Sequence, residues 1–374
     1  MRVREAGITV GYIPPGPDNA ITDVNGVRVG HSTIIRGEGP LVVGEGPVRT
    51  GVTVVCPREG WTREEPVFAG CHTLNGNGEM TGLEWIREAG VLETSVAITN
   101  THSVGVVRDA LIAAEFEDNT EEYWCLPIVA ETYDGTLNDI NGQHVKGEHV
   151  REALADASGG SVEEGSVGGG TGMICHEFKG GIGTASRKLS DEEGGWTVGA
   201  LVQSNYGSRR MLRVDGAPLG RVLTTEKIPS PYHNTDTQAQ PGTGSIIVVL
   251  ATDAPLLPIQ CDRLAQRTTV GLARAGGGCD NGSGDIFLAF ATGNRGIQPE
   301  GASNQPPTVS TNMVTNEYMT PLFHAAAEAT EEAILNALLA AGTMTGRDGI
   351  TAHGLTPDLL LDALDEARSL YGRR

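Results

Sequence analysis

The stretch Ser245–Ala251, SIIVVLA, constrains this chain more than any other. It is apolar and largely β-branched without alternation, so a strand made from it offers no face to water and must be covered on both sides. Residues 226–244 ahead of it, EKIPSPYHNTDTQAQPGTG, are polar, rich in Pro and Gly and without periodicity, and read as an exposed linker. A linker that runs straight into a doubly buried strand calls for a layered fold, with packed material on each face of a sheet.

From Ile8 to about Val107 short apolar runs (VRVGHSTI, GVTVVCP, SVAITNTHSVGVV) alternate with Gly, Asn and Pro turns, which is strand-and-turn grammar. The 52 glycines fall between such runs with no Gly-X-Y period, a placement suited to tight turns and close backbone contacts. A helix is expected to begin near Val107 (VRDALIAAEF), and a second strand-rich stretch to run through TVGALVQSN, with Gly165–Gly172 as a loop between. Thr320-Pro321 supplies an N-cap and a first-turn proline, and Leu322, Ala326, Ala329, Ala333, Ala337 and Ala340 then recur at helical spacing on one face. Thr356-Pro357 repeats the device before DLLLDALDEARSLYG, and both segments read as packing helices. Strands in two blocks with helices gathered mostly at the end predict α+β layering rather than alternating βαβ units.

A formal charge of −20 repels phosphate backbones and anionic headgroups, so no nucleic acid and no membrane surface is expected as partner. No apolar run approaches the ~20 residues of a spanning helix and the first residues lack a leader's apolar stretch, which predicts a soluble, cytoplasmic protein. The cysteines, Cys56, Cys71, Cys125, Cys175, Cys261 and Cys279, form no CxxC pair and read as reduced, mostly buried thiols. Lys146, Lys179, Lys188 and Lys227 are the only lysines, so arginine carries most of the positive charge. An acidic, Lys-poor surface fits a salt-adapted protein, and it equally fits an acidic protein from a GC-rich genome.

Chemistry concentrates at Gly242-Thr243-Gly244-Ser245-Ile246-Ile247. A hydroxyl at the head of a buried strand can attack the preceding carbonyl where glycine leaves the approach uncrowded, and hydrolysis of the resulting ester cuts the chain. Cleavage would free the α-amine of Ser245, whose intrinsic pKa of ~7.7–8.0 lets one residue supply both nucleophile and base. Gly-Ser before a strand is also an ordinary turn, and the pattern alone leaves both readings open. His144 and His149 in NGQHVKGEHV have no third ligand spaced with them and read as exposed loop histidines, so no metal is expected. GSVGGGTGM lacks the Lys-Ser/Thr of a phosphate loop and reads as close backbone packing.

Further segments keep company with this junction: DVNGVRVGHST, LNGNGEMTGLEWIREAG, ITNTHSVGVVRDA, PIVAETYDGTLND, GSVGGGTGM, GALVQSNYG, GTGSIIVVLATDAPL, GSGDIFLAF and EATEEAILNAL. Together, and in this order over nearly the whole chain, they resemble the self-cleaving DmpA/BapA-like aminopeptidases, a family of L-aminopeptidase/D-amidase-esterases and β-peptidyl aminopeptidases. The resemblance implies one αββα sandwich of the Ntn-hydrolase type, matured into subunits 1–244 and 245–374 that stay together, and a homo-oligomer such as a tetramer of cleaved pairs. It implies Ser245 as nucleophile and first residue of the small subunit, with cleavage after Gly244, and Ser283 and Asp285 as an assisting relay. Asn205 would be the oxyanion-hole amide, and Glu131 and Tyr133 would line a pocket in which the carboxylate pairs with the free ammonium of a small peptide, amide or ester substrate. Glu79 and His102 lie in matching segments without an assignable role. No cofactor is implied. An acyltransferase of the ornithine acetyltransferase type, which passes the same acyl group to an amine, and a non-catalytic oligomeric binding protein stand as alternatives.

Overall fold

A computed structural model describes the chain except residues 117–123, 234–239, 242, 300–305 and 372–374, so part of the linker and Gly242 lie outside the described residues. The strands in chain order are β1 Arg28–Arg36, β2 Val48–Cys56, β3 Val67–Gly76, β4 Val91–Leu92, β5 Val96–Asn100, β6 Ile128–Thr132, β7 Ile174–Cys175, β8 Phe178–Lys179, β9 Gly181–Lys188, β10 Thr197–Asn205, β11 Gly244–Thr252, β12 Ser283–Ala291, β13 Met344–Thr345 and β14 Thr351–Ala352. The helices are α1 Leu83–Ala89, α2 Val104–Phe116, α3 Gly147–Asp156, α4 Pro258–Ala265, α5 Thr268–Arg274, α6 Met319–Ala340 and α7 Pro357–Tyr371.

These elements build the αββα sandwich. One sheet has the order β1-β2-β5-β6 and the other β4-β3-β12-β11-β10-β9, with parallel pairing confined to β5–β6 and β11–β12 within them. Residues 246, 248 and 250 of β11 enter a core shared with α4, α5, α6 and α7, while 247, 249 and 251 enter a second core between the two sheets. Every residue of β11 after Gly244 is buried, which is what the unbroken apolar run requires. A third core joins β2, β5 and β6 to α2 and α3 on the far side.

The expected helix near Val107 starts three residues earlier, at Val104, and the early strand block also contains α1, which its short length hides from periodicity. At α6 the N-cap is Tyr318 rather than Thr320, because a 3-10 turn over Asn316–Tyr318 feeds directly into the helix. At α7 the expected cap forms, with Leu359 N donating to Thr356 Oγ1 at 3.3 Å. The Ala face of α6 is buried as expected, yet Glu328 and Glu332 are buried too, and both pair with Arg187 beneath the helix. His144 and His149 are not exposed loop residues. His144 is buried between Arg36 Nη2 at 2.7 Å and Asp139 Oδ2 at 2.8 Å, and His149 Nδ1 accepts from Lys146 N at the start of α3. Five cysteines are buried and Cys279 is exposed, all unpaired. No helix among the described residues is long and apolar enough to cross a membrane.

The glycine-rich segment does pack backbone on backbone. A Cβ at Gly169 would sit 2.2 Å from Gln203 Oε1 of β10 and 2.6 Å from Ile98 O of β5, so only glycine lets this turn bridge the two sheets.

Candidate active site

The linker ends where β11 begins, and the backbone there adopts a conformation few residues tolerate. Gly244 has φ +125°, and a Cβ on it would lie 2.1 Å from Asn205 O. The glycine therefore meets a steric demand made by the neighbouring strand. Ser245 follows, 5% exposed, with Gly284 N donating to its Oγ at 3.2 Å.

Pairing of β10 with β11 sets Asn205 opposite Ser245, at the last rung of the ladder. Both side chains follow the alternation of their strands onto the face between the two sheets. Ile174 N, at the start of the β7–β8 hairpin, donates to Asn205 Oδ1 at 2.8 Å, while Asn205 Nδ2 donates to Tyr133 O at 3.0 Å. With the carbonyl end taken, the amide cannot flip, and its second N–H has no partner among the described residues, beside the cavity that Asn205 lines.

That cavity, about 420 Å³, is bounded by Ser245, Gly244, Asn205, Glu131 and Tyr133, together with the Asn77–Glu79 segment. Glu131 is the next-to-last residue of β6, and Tyr133 lies just past the strand's end, so the two share a cavity without sharing a strand. Glu131 is 4% exposed; its Oε1 accepts from Glu79 N at 2.9 Å and its Oε2 from the Thr101 hydroxyl. Burial raises its pKa, and those two donors partly offset the shift.

Ser283 and Asp285 sit differently. They alternate with Gly284 and Ile286 and share their side of β12 with Phe287 of the helix-side core, so they stand behind the strand and not on the cavity wall. Their route to the site runs along the parallel register, in which Ser283 is the partner of Gly244. Ser283 Oγ donates to Asp285 Oδ1 at 2.5 Å, which joins the two residues as a pair. Burial pushes the Asp285 carboxyl up to about 6, against the hydrogen bonds of Ser283 and the Ile246 backbone, which act to lower it. A register shift against β3 falls at Asp285/Ile286, a local irregularity that re-aims side chains at the end of a sheet.

Three backbone contributors were invisible in the sequence: the N–H groups of Gly284, Ile174 and Glu79. Backbone groups carry no residue-type signal, and only the pairing of distant strands reveals them. Among the described residues no group of three or more His, Cys, Asp or Glu is placed to hold a metal ion.

The site thus lies at the head of a central strand, between two facing sheets that are flanked by helical layers. Residues 19–352 match peptidase family S58, and the chain belongs to that family. It is similar to beta-peptidyl aminopeptidase BapA of Sphingosinicella microcystinivorans, with 49% identity over 374 residues that cover 99% of this chain and 93% of the relative. Among solved structures it is similar to a Burkholderia sp. beta-aminopeptidase, at TM-score 0.92 and 58% identity with 100% of both chains covered. It is also similar to the L-aminopeptidase D-Ala-esterase/amidase of Ochrobactrum anthropi, described as a prototype for the serine aminopeptidases and a variant of the Ntn-hydrolase fold. There the TM-score is 0.88 and the identity 41%, covering 100% of this chain and 99% of that one.

Proposed function

We propose that this aminopeptidase cuts its own chain between Gly244 and Ser245 and then uses Ser245 as an N-terminal nucleophile on peptides, amides or esters that carry a free amine. The observation that carries the proposal is the meeting of Gly244, Ser245, Asn205 and Glu131 around one cavity, although they come from three strands and two sheets.

In the first reaction Ser245 Oγ attacks the Gly244 carbonyl carbon, the C–N bond gives way to an ester, and water hydrolyses the ester to leave fragments 1–244 and 245–374. The new amine of Ser245 then lies beside Ser283, because Gly244 and Ser283 are register partners. In the second reaction this amine takes the hydroxyl proton as Oγ attacks the substrate's acyl carbon. The free N–H of Asn205 supports the oxyanion, an interaction of the kind commonly worth ~2.7–4 kcal/mol. Collapse expels the leaving amine, which receives the proton from the Ser245 ammonium, and water resolves the acyl-enzyme by the same path reversed. The Ser283–Asp285 pair acts from behind the strand, where the carboxylate orients the serine hydroxyl and stabilises positive charge on the amine.

Glu131 reads the substrate. A buried carboxylate at the end of the cavity pairs with an ammonium and leaves an acylated amine without a partner, which excludes internal peptide bonds. The remaining expectations, a homo-oligomer of cleaved pairs and a cytoplasmic location, belong to the same reading. The decisive experiment is the mass of the purified protein under denaturing conditions. Two fragments split after Gly244, and one intact chain for Ser245→Ala, support the proposal. A full-length wild-type chain that hydrolyses amides would overturn it.

A further inference from the structure

The hairpin that pins the Asn205 amide does not hold its own shape. Its strands, β7 and β8, are two residues each, and a hairpin so short is marginal without outside support. The turn residues His176 and Glu177 lie at φ +49° and +63°, a left-handed backbone that neither side chain favours and that persists only where its surroundings impose it. Ile174 N nevertheless sits 2.8 Å from Asn205 Oδ1, the contact that aims the amide.

Arg209 supplies the support. It is 2% exposed, and its guanidinium lies 3.6 Å over the Phe178 ring of β8. Nε donates to His176 O at 3.0 Å and Nη2 to Glu177 O at 2.8 Å, so both turn carbonyls end on one planar fork. Arg209 N donates to Glu177 Oε1 at 2.8 Å, and Nη1 reaches Leu223 O and Ile228 O, which fastens the turn to a third stretch of chain. Burial lowers the guanidinium pKa to about 10 while Glu177 opposes the shift, so the group stays charged at neutral pH and its bonds are charge-assisted. Arg209 follows Asn205 by four residues. The segment that carries the amide thus turns back to clamp the hairpin that holds it, and His176 N donating to Tyr206 O at 2.7 Å closes the same contact.

We infer that Arg209 is a positioning residue for the oxyanion donor, acting through the β7–β8 hairpin to keep Ile174 N on Asn205 Oδ1 and the remaining Asn205 N–H aimed into the cavity. The inference rests on the oxyanion role given above to Asn205. The bond from Ile174 N also polarises the amide, since hydrogen bonds in series strengthen one another, so the hairpin sets the strength of the donor as well as its direction.

Arg209→Lys keeps the charge and loses both the planar fork and the stacking face. Removing an oxyanion donor costs about 100- to 1,000-fold in kcat, and displacing a positioned group by about 1 Å costs on the order of 100-fold. In Arg209→Lys, kcat per cleaved chain should therefore fall at least about tenfold with KM unchanged. An amino aldehyde, whose adduct with Ser245 carries an oxyanion, should lose affinity by a similar factor, while the product amino acid binds as in the wild type. Phe178→Leu, which removes the stacked ring and leaves the guanidinium, should show the same split at smaller size and serves if the first variant does not fold. A folded variant with wild-type kcat and aldehyde affinity would overturn the inference, as would a rise in KM at unchanged kcat or an equal loss of aldehyde and product binding. Asn205→Ala separates the two readings. If it matures and turns over like the wild type, the oxyanion role itself fails, whereas an impaired Asn205→Ala beside an unaffected Arg209→Lys refutes the role of Arg209 alone.

Discussion

Asn205 and Ser245 face each other as the last pair of the β10–β11 ladder, and the carbonyl of Asn205 is the atom that forbids a side chain at Gly244. The strand that supplies the candidate oxyanion donor thus also fixes the backbone at the candidate scissile bond. Self-cleavage and amide hydrolysis would draw on one geometry.

Gly244→Ala should stop maturation while leaving the candidate nucleophile in place. Its Cβ would fall 2.1 Å from Asn205 O at a φ of +125°, so the strand end must shift and the carbonyl leaves the reach of Ser245. The expected outcome is an intact chain by denaturing mass spectrometry after days at ambient temperature, with a lowered melting temperature. Wild-type cleavage kinetics in this variant would show that the close approach is irrelevant to the reaction.

Glu131→Gln should reduce kcat/KM on free-amine substrates by roughly 10- to 100-fold, the loss expected when a charge-assisted contact becomes a neutral one. Self-cleavage involves no ammonium and should change far less. N-acetylated substrates should be refused by the wild type, and their turnover at rates comparable with the free amines would remove Glu131 from this role.

The pH profile should carry two acid limbs. Asp285 titrates at about 6 because burial disfavours its charged form, so below that pH it protonates and ceases to accept from Ser283 as a carboxylate. The Ser245 amine, with an intrinsic pKa of ~7.7–8.0, must be neutral to act as base and gives the upper limb. The rate should therefore decline as pH falls toward 6 and decline more steeply below it. Asp285→Asn should lower kcat on the order of 100-fold and abolish only the steeper part, leaving the upper limb where it was. An unchanged profile would detach Asp285 from the chemistry.

Melting temperature should rise with KCl. At a formal charge of −20 the carboxylates repel one another, and shortening the Debye length from ~10 Å at 0.1 M to ~3 Å at 1 M removes most of that repulsion. Sulfate salts at matched ionic strength separate screening from salting-out. A flat response would assign the lysine-poor composition to the genome rather than to salt.

Ser245–Ala251 by itself determined a strand covered on both faces, since no alternation in the run leaves a side for water. The same locality made Thr356-Pro357 readable as a helix start, because a cap is settled within one turn. It failed at Thr320, where the preceding 3-10 turn absorbed the cap, and at His144, which is buried by the arrival of Arg36 from β1, more than a hundred residues earlier in the chain. The motifs brought Ser245, Asn205, Glu131 and Tyr133 forward as candidates, yet nothing in them specifies that Ile174 N pins the Asn205 amide or that Gly284 N holds the Ser245 hydroxyl. Nor do they reveal that Ser283 and Asp285 stand behind β12 rather than on the cavity wall. Strand periodicity says which residues alternate, but the side each set faces is fixed only when β10, β11 and β12 pair and a second sheet closes over one surface. That choice is made by burial of the whole sandwich, a sum over contacts distant in sequence, and so the tertiary structure alone decides it.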